Sequence, residues 1–289
     1  MKTGFGALES DPDSKHQVNL TGAQKTLLIT LYAKALDSQS KHSILHDDKA
    51  YEIVKSLDFN FDTAQGYGNK NIIVVRAKQF DEWTKEFLGE NPGCVVLNLG
   101  CGLDSRATRI RPLFPRVSWF DVDYPEVIKE RTAFFSNDAN YHMVASSITE
   151  SEWLDNVPKD KPAMIIADGV LEYLSEDEVK SLLNRLTAHF PSGQIAFDVM
   201  NSYAIEQGKA RLKAAMGTEH RWAVDDLKAV DALDPKLKRT ASLSLFASKY
   251  ISGLEFKYRL MYGLVRLFPN FKNMIRLLRY VFYNRPGLS

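Results

Sequence analysis

The middle of the chain alternates short apolar runs with segments of helical period. CVVLNLG (94–100), VSWFDVD (117–123), YHMVASSI (141–148), AMIIADGV (163–170) and GQIAFDVM (193–200) each read as a buried strand. Near-continuous apolar runs of this kind suit parallel strands covered on both faces. The clearest helical segment is 176–190. There Ser175 and Glu178 form a capping box, and Val179, Leu182, Leu183, Leu186 and Phe190 follow at one-face spacing. Upstream, residues 21–36, 47–57 and 72–88 read as helices. Downstream, 203–216 reads as a helix, 237–246 as a strand, about 256–268 as a helix and about 274–283 as a closing strand. This alternation predicts an α/β fold with a doubly wound, mostly parallel sheet under a helical N-terminal cap. No repeat and no Gly/Ser- or Pro-rich linker interrupts the pattern. One domain over 1–289 is expected, with a cap over 1–90, a core over 91–200 and an insertion with closing strands over 201–289.

Composition narrows the class of function. With 289 residues, 45% apolar and 25% charged, the chain is neither disordered nor collagen-like. A net charge of +1 argues against a protein built to hold nucleic acid. Cys94 and Cys101 flank a single predicted strand, which gives no disulfide framework. MKTGFGALESDPDS (1–14) lacks the apolar stretch of a signal peptide, and no run of 18 apolar residues occurs. A cytoplasmic protein with no transmembrane segment is therefore expected. Charge is unevenly spread: residues 249–289 hold eight Lys or Arg against Glu255, together with nine aromatics. That segment reads either as a surface for an acidic substrate or anionic membrane, or as closing elements whose Arg stems cover the core.

The turn after the first strand is Leu99-Gly100-Cys101-Gly102-Leu103-Asp104. Two glycines between a buried strand and a helix let backbone approach a ligand, with helix N–H groups facing it. The second strand ends in Asp121 and Asp123, which share one face and lie where an acidic residue accepts hydrogen bonds from the ribose hydroxyls of an adenosine. Asp123 also stands where a helix cap is needed, just before Tyr124-Pro125. A nucleoside cofactor follows from the two signals together. Ser105 occupies the position of the third glycine of a dinucleotide fingerprint, which disfavours NAD.

VVLNLGCGLDSR (95–106) resembles the signature VVNLGAGLDTR of the leucine carboxyl methyltransferase family, which includes polyketide carboxyl O-methyltransferases of the tetracenomycin type. The likeness continues in TLLITLYAKALDS (26–38), around Arg76 to Asp81, and in WFDVDYPEVI (119–128), IADGVLEYL (166–174) and FPSGQIAFD (190–198), in the family's order. The resemblance implies a seven-stranded, Rossmann-like methyltransferase sheet and S-adenosylmethionine as cofactor. It puts Arg76 on the methionyl carboxylate and Gly100, Cys101 and Gly102 under the methionyl and ribose part, with Asp104 completing the GLDSR match. Asp123 takes the ribose hydroxyls, with Asp121 as substitute. Asp168 and Gly169 face the sulfonium end, and Ser146 and Ser147 stand beside the adenine in place of the Asp-Leu pair of many relatives. Lys34, Arg106 and Tyr173 are the candidates for binding or positioning substrate. For Arg106 the alternative is a structural pairing with Asp104 or Asp123, and for Tyr173 a core position.

Neither His142 nor His220 has a metal-ligand partner at useful spacing, so no metal is expected. A carboxylate acceptor is ionised at neutral pH and needs no base, whereas a phenol calls for one, and no His or Lys is clearly placed for that role. The expected reaction is esterification of a small-molecule carboxylic acid, with the cap helix and the basic C-terminal segment as pocket walls. Transfer to a hydroxyl or a protein C-terminus, an NAD-dependent oxidoreductase and a non-catalytic nucleoside-binding protein are the alternatives. Monomer and homodimer are both open.

Overall fold

The computed structural model describes residues 15–18, 20, 22–61 and 69–284. Seven strands form one sheet: β1 (Val95–Leu99), β2 (Ser118–Asp123), β3 (Tyr141–Ala145), β4 (Ala163–Ala167), β5 (Ser192–Met200), β6 (Lys238–Ser244) and β7 (Ile275–Tyr283). Their order is β3-β2-β1-β4-β5-β7-β6. β3, β2, β1, β4 and β5 run parallel, and β7 runs antiparallel to both its neighbours. β1 and β4 are buried at every position, as central strands covered on both faces must be.

Ten helices accompany the sheet among the described residues: α1 (Thr26–Ser38), α2 (Asp48–Ser56), α3 (Lys70–Glu90), α4 (Arg106–Ile110), α5 (Pro125–Arg131), α6 (Glu176–His189), α7 (Ser202–Met216), α8 (Leu227–Asp231), α9 (Phe256–Val265) and α10 (Pro269–Lys272). The capping box of α6 forms as its sequence predicts, with Ser175 Oγ accepting from Glu178 N and Glu178 Oε2 accepting from Ser175 N. Asp47 and Asn201 cap α2 and α7 by a single bond each, their side chains accepting from Ala50 N and Ala204 N. One core packs α1, α2 and α3 against one face of the sheet, through Leu28, Phe80, Val96 and Met164. A second packs α6 and α8 against the other face, through Leu97, Ile165, Leu183 and Val230.

Several expected elements are shorter than the apolar runs. The fourth run stops at Ala167 because Asp168, Gly169 and Val170 turn away from the sheet, Gly169 with φ +75°. The third stops at Ala145, where Ser146 N donates to the carbonyl of Asp123. The helix expected over 256–268 ends at Val265, and Pro269 starts α10. The N-terminal 14 residues and Arg285 of the basic segment lie outside the described residues. No described helix is long and apolar enough to cross a membrane.

Candidate active site

After β1 the chain winds outward to β2 and β3. It then crosses back to β4 on the other side of β1. At such a reversal the loops leaving adjacent strands part and open a crevice at their C-terminal ends. A cleft enclosing about 1100 Å³, mouth included, lies there. Its floor is Gly100–Asp104 after β1, Asp123 and Tyr124 after β2, Ser146 and Ile148 after β3, and Asp168–Val170 after β4. α1 roofs it with Leu27, Thr30 and Lys34, and α3 supplies Ile73 and Arg76.

Asp123 ends β2 with its carboxylate fixed by two backbone donors. Gly102 N donates to Oδ2 at 2.7 Å and Tyr124 N to Oδ1 at 2.8 Å. The helix cap expected at Asp123 falls instead on Tyr124, which makes no side-chain cap bond, because α5 begins one residue later at Pro125; the Asp123 carboxylate, held by its two backbone donors, lines the cleft. Burial raises its pKa against those two donors. Gly100 and Gly102 sit at φ +59° and +51°, in the left-handed region that favours glycine. A Cβ on Gly100 would lie 2.5 Å from Val170 Cγ2. Gly100→Ala is expected to cost at least the roughly 1–2 kcal/mol of a left-handed residue, with a lower Tm. Adding Val170→Ala relieves the clash and recovers part of that loss but leaves the backbone strain. Equal Tm values for the single and double variants would show that Val170 is not the obstacle.

Behind the floor lies a network of buried ion pairs. Arg106 is fully buried and spends its guanidinium on three carboxylates: Asp81 at 2.7 Å, Asp104 at 3.0 Å and Asp168 at 2.7 Å. Lys34 Nζ donates to Asp104 at 2.9 Å. Arg76 Nε is 2.6 Å from Asp168 Oδ1, and its Nη1 donates to Asp198 at 2.8 Å. Arg76 Nη2 sits 2.6 Å from where a Cβ on Gly169 would be, so glycine there leaves room for the guanidinium. Arg109 joins Asp81 to Asp47. Burial alone would raise the carboxyls of Asp104 and Asp168, but the surrounding cations outweigh it. Arg106 and Lys34 hold Asp104 well below the usual carboxylate range, and Arg76 and Arg106 lower Asp168. Of these charged groups, Lys34, Arg76 and Arg106 line the cleft with Asp104, Asp123 and Asp168, so three cations meet three carboxylates there.

Glu172, on the turn after the β4 loop, is buried beside Asp198 with Oε2 unpartnered. Burial, then the charge of Asp198, pushes its pKa up to about 8 from an ordinary 4.5. The folded protein keeps this proton up to about pH 8, whereas the unfolded chain releases it near 4.5. Between those values the folded state binds more protons, so stability falls as pH rises, by up to about 1.4 kcal/mol per pH unit. Glu172→Gln is expected to remove that slope. The stability gap between variant and wild type should widen from pH 5 to pH 8 and then level off. A gap independent of pH would mean that Glu172 is ionised throughout.

A profile of the leucine carboxyl methyltransferase family matches residues 27–187. The chain is also 33% identical over 267 residues to the tetracenomycin polyketide synthesis O-methyltransferase TcmP of Streptomyces glaucescens, covering 92% of this chain and 98% of that one. The chain belongs to the leucine carboxyl methyltransferase family. A second relative, 33% identical over 246 residues, is the S-adenosyl-L-methionine-dependent methyltransferase dpfgK of Gibberella zeae, with 78% of this chain and 83% of that one covered. A crystal structure from Thermobifida fusca of a protein assigned as a methyltransferase superposes with a TM-score of 0.59 at 14% identity, over 94% of this chain and 97% of that one, and shows the shared fold. The cofactor is S-adenosylmethionine.

Several residues singled out from the family signature take other places. Asp121 lies away from the cleft. It is fully buried, accepting from Asn98 Nδ2 at 2.8 Å, Trp119 Nε1 at 2.9 Å and the Tyr141 hydroxyl at 2.6 Å, and pairing with Arg131. It shares a face with Asp123, but the cleft opens only past the strand end. Arg106 lines the cleft with its guanidinium paired to Asp81, Asp104 and Asp168; of the two structural partners expected for it, Asp104 is met and Asp123 is not. Ser146 lines the cleft, whereas Ser147 Oγ turns to Thr149 Oγ1 at 2.7 Å. Cys101 lines the floor, with its thiol pushed well up by burial. Tyr173 lines the cleft, and burial, then Glu172, raises its phenol.

No described residue after Leu174 lines the cleft, so the described part of the basic C-terminal segment, 249–284, is not one of its walls. Asp47, Asp81, Asp198 and Glu172 were missed as site residues. Asp81 and Asp198 stand in the motifs that carry the family likeness, but nothing local marks them as partners of Arg106 and Arg76. Among the described residues no group of three or more His, Cys, Asp or Glu side chains is arranged to hold a metal ion.

Proposed function

We propose that this methyltransferase esterifies the carboxylate of a small-molecule acid. The observation that carries this reading is the absence of a ready base among the described residues lining the cleft. They include no histidine, Lys34 is tied to Asp104, the phenol of Tyr173 is pushed up, and Asp168 is held down by Arg76 and Arg106. An acceptor that arrives already ionised fits such a site, and a carboxylate is ionised at neutral pH. TcmP, similar over almost its whole length, acts in polyketide synthesis as an O-methyltransferase, which supports a metabolite acceptor over a protein.

S-adenosylmethionine supplies an activated methyl group on a sulfonium. The chain's own residues then have to bind, align and dry the partners, and alignment can supply several kcal/mol. In this reading Asp123 accepts from the ribose hydroxyls, its orientation already set by Gly102 and Tyr124. Gly100 and Gly102 bring backbone close to the ligand, Arg76 takes its carboxylate through Nη2, and Ser146 borders the adenine. Asp168 lies at the charged end, and Leu27, Ile73, Val170 and Leu174 exclude water. Tyr173 orients the acceptor as a protonated phenol.

The first test is the thermal unfolding midpoint with S-adenosylmethionine, S-adenosylhomocysteine or NAD. Ligand at about 100 times its Kd adds roughly 2.7 kcal/mol of stability. A shift with both adenosyl ligands and none with NAD is expected. No adenosyl shift would overturn this reading of the cleft. The second test incubates carboxylic acids and phenols with the cofactor and follows the products. Base-labile methyl esters are expected, and ethers alone would overturn the carboxylate assignment.

A further inference from the structure

A run of exposed apolar side chains lies far along the chain from the cleft-lining residues, on α9, α10 and the turn between them. Phe256, Leu260, Met261, Leu264, Leu267, Phe268 and Phe271 are all exposed, Phe256 by 74% and Leu267 by 72%. Tyr262 on the opposite side of α9 is buried, its ring centroid 5.6 Å from that of Phe246. At 100° per residue, Phe256, Leu260 and Leu264 form one outward stripe opposite Tyr262, and the exposed Leu267 follows in the turn after the helix. Arg259 and Arg266 flank that stripe on one side and Lys257 on the other, with Lys272 on α10. Glu255 is the single acid between 255 and 272, and Lys257 pairs with it at 2.9 Å. Arg259, Arg266 and Lys272 make no ion pair among the described residues.

We infer that α9 and α10 form a docking surface for an anionic lipid bilayer, with the apolar stripe entering the interface and the flanking Lys and Arg meeting lipid phosphates. An outward apolar stripe with cations at its edges is the pattern of a helix lying in the plane of a bilayer. A patch of this kind is unusual on a soluble surface without a partner. Charge decides which partner. A twofold contact with a second copy would set the same cationic rim against itself, whereas an anionic surface is attracted by each basic residue.

The test is co-sedimentation of the full chain with vesicles of phosphatidylcholine alone or mixed with phosphatidylglycerol. Wild type is compared with Leu260→Ser/Leu264→Ser and Arg259→Glu/Arg266→Glu, all at exposed positions. Wild type is expected to partition at least tenfold more onto the anionic vesicles, less so as salt rises. Each double variant is expected to lose about tenfold of that binding while keeping the wild-type Tm. No preference for the anionic vesicles, or unchanged binding by both variants, would overturn the inference. Sedimentation velocity provides the other arm: a dimer that Leu260→Ser/Leu264→Ser dissociates, in a protein that ignores vesicles, assigns the face to a second copy instead.

Discussion

Arg106→Met is expected to cost about 3–5 kcal/mol of stability, the usual result of removing one partner of a buried ion pair. The side chain is fully buried, and Asp81, Asp104 and Asp168 all converge on it. Methionine fills similar space but leaves three carboxylates without their common cation. Arg109 still holds Asp81, Lys34 holds Asp104 and Arg76 holds Asp168, so the network is weakened at three points and abolished at none. Arg106→Lys keeps the charge but not the planar fork that reaches three acceptors, and an intermediate loss is expected. Urea unfolding of the three proteins checks the order. A methionine variant as stable as wild type would mean that the cost of burying these charges equals their mutual attraction.

Asp123→Ala is expected to weaken cofactor binding most. Hydrogen bonds to a charged group contribute about 1.5–3 kcal/mol each, and in the proposed role the carboxylate accepts two from the ribose. The Kd for S-adenosylhomocysteine should therefore rise by at least two orders of magnitude, read by calorimetry. Alanine also frees the N–H groups of Gly102 and Tyr124, so a modest fall in Tm accompanies the loss. Asp123→Asn separates the two effects, since its single carbonyl oxygen still accepts but carries no charge. Unchanged affinity in Asp123→Ala would remove this residue from the ribose role, whatever the stability does.

Arg76 shows how far a position in a motif can be read. It lines the cleft wall with its guanidinium between Asp168 and Asp198. Neither aspartate is near it in sequence: Asp198 is 122 residues away and is brought to it by β5 standing next to β4. Arg106 taught the opposite lesson. Its motif marks it as a site residue, yet only the position of α3 shows that Asp81 consumes one of its arms.

The strands, the capped α6, the glycine turn and the acidic strand end were all readable from residue types and spacing, because each is a local consequence of backbone geometry and of period. Those features determine a doubly wound sheet with a ligand cleft at the ends of β1, β2 and β4. Which of Asp121 and Asp123 faces that cleft was decided by tertiary structure, since two residues on one strand face differ only in how far the strand continues. The same holds for the pairing of Arg106, for the rise in the pKa of Glu172, and for the exposure of α9. Each depends on which surfaces the packed sheet and helices leave in water and which they remove from it. Burial and pairing are properties of the assembled chain, and no local pattern carries them.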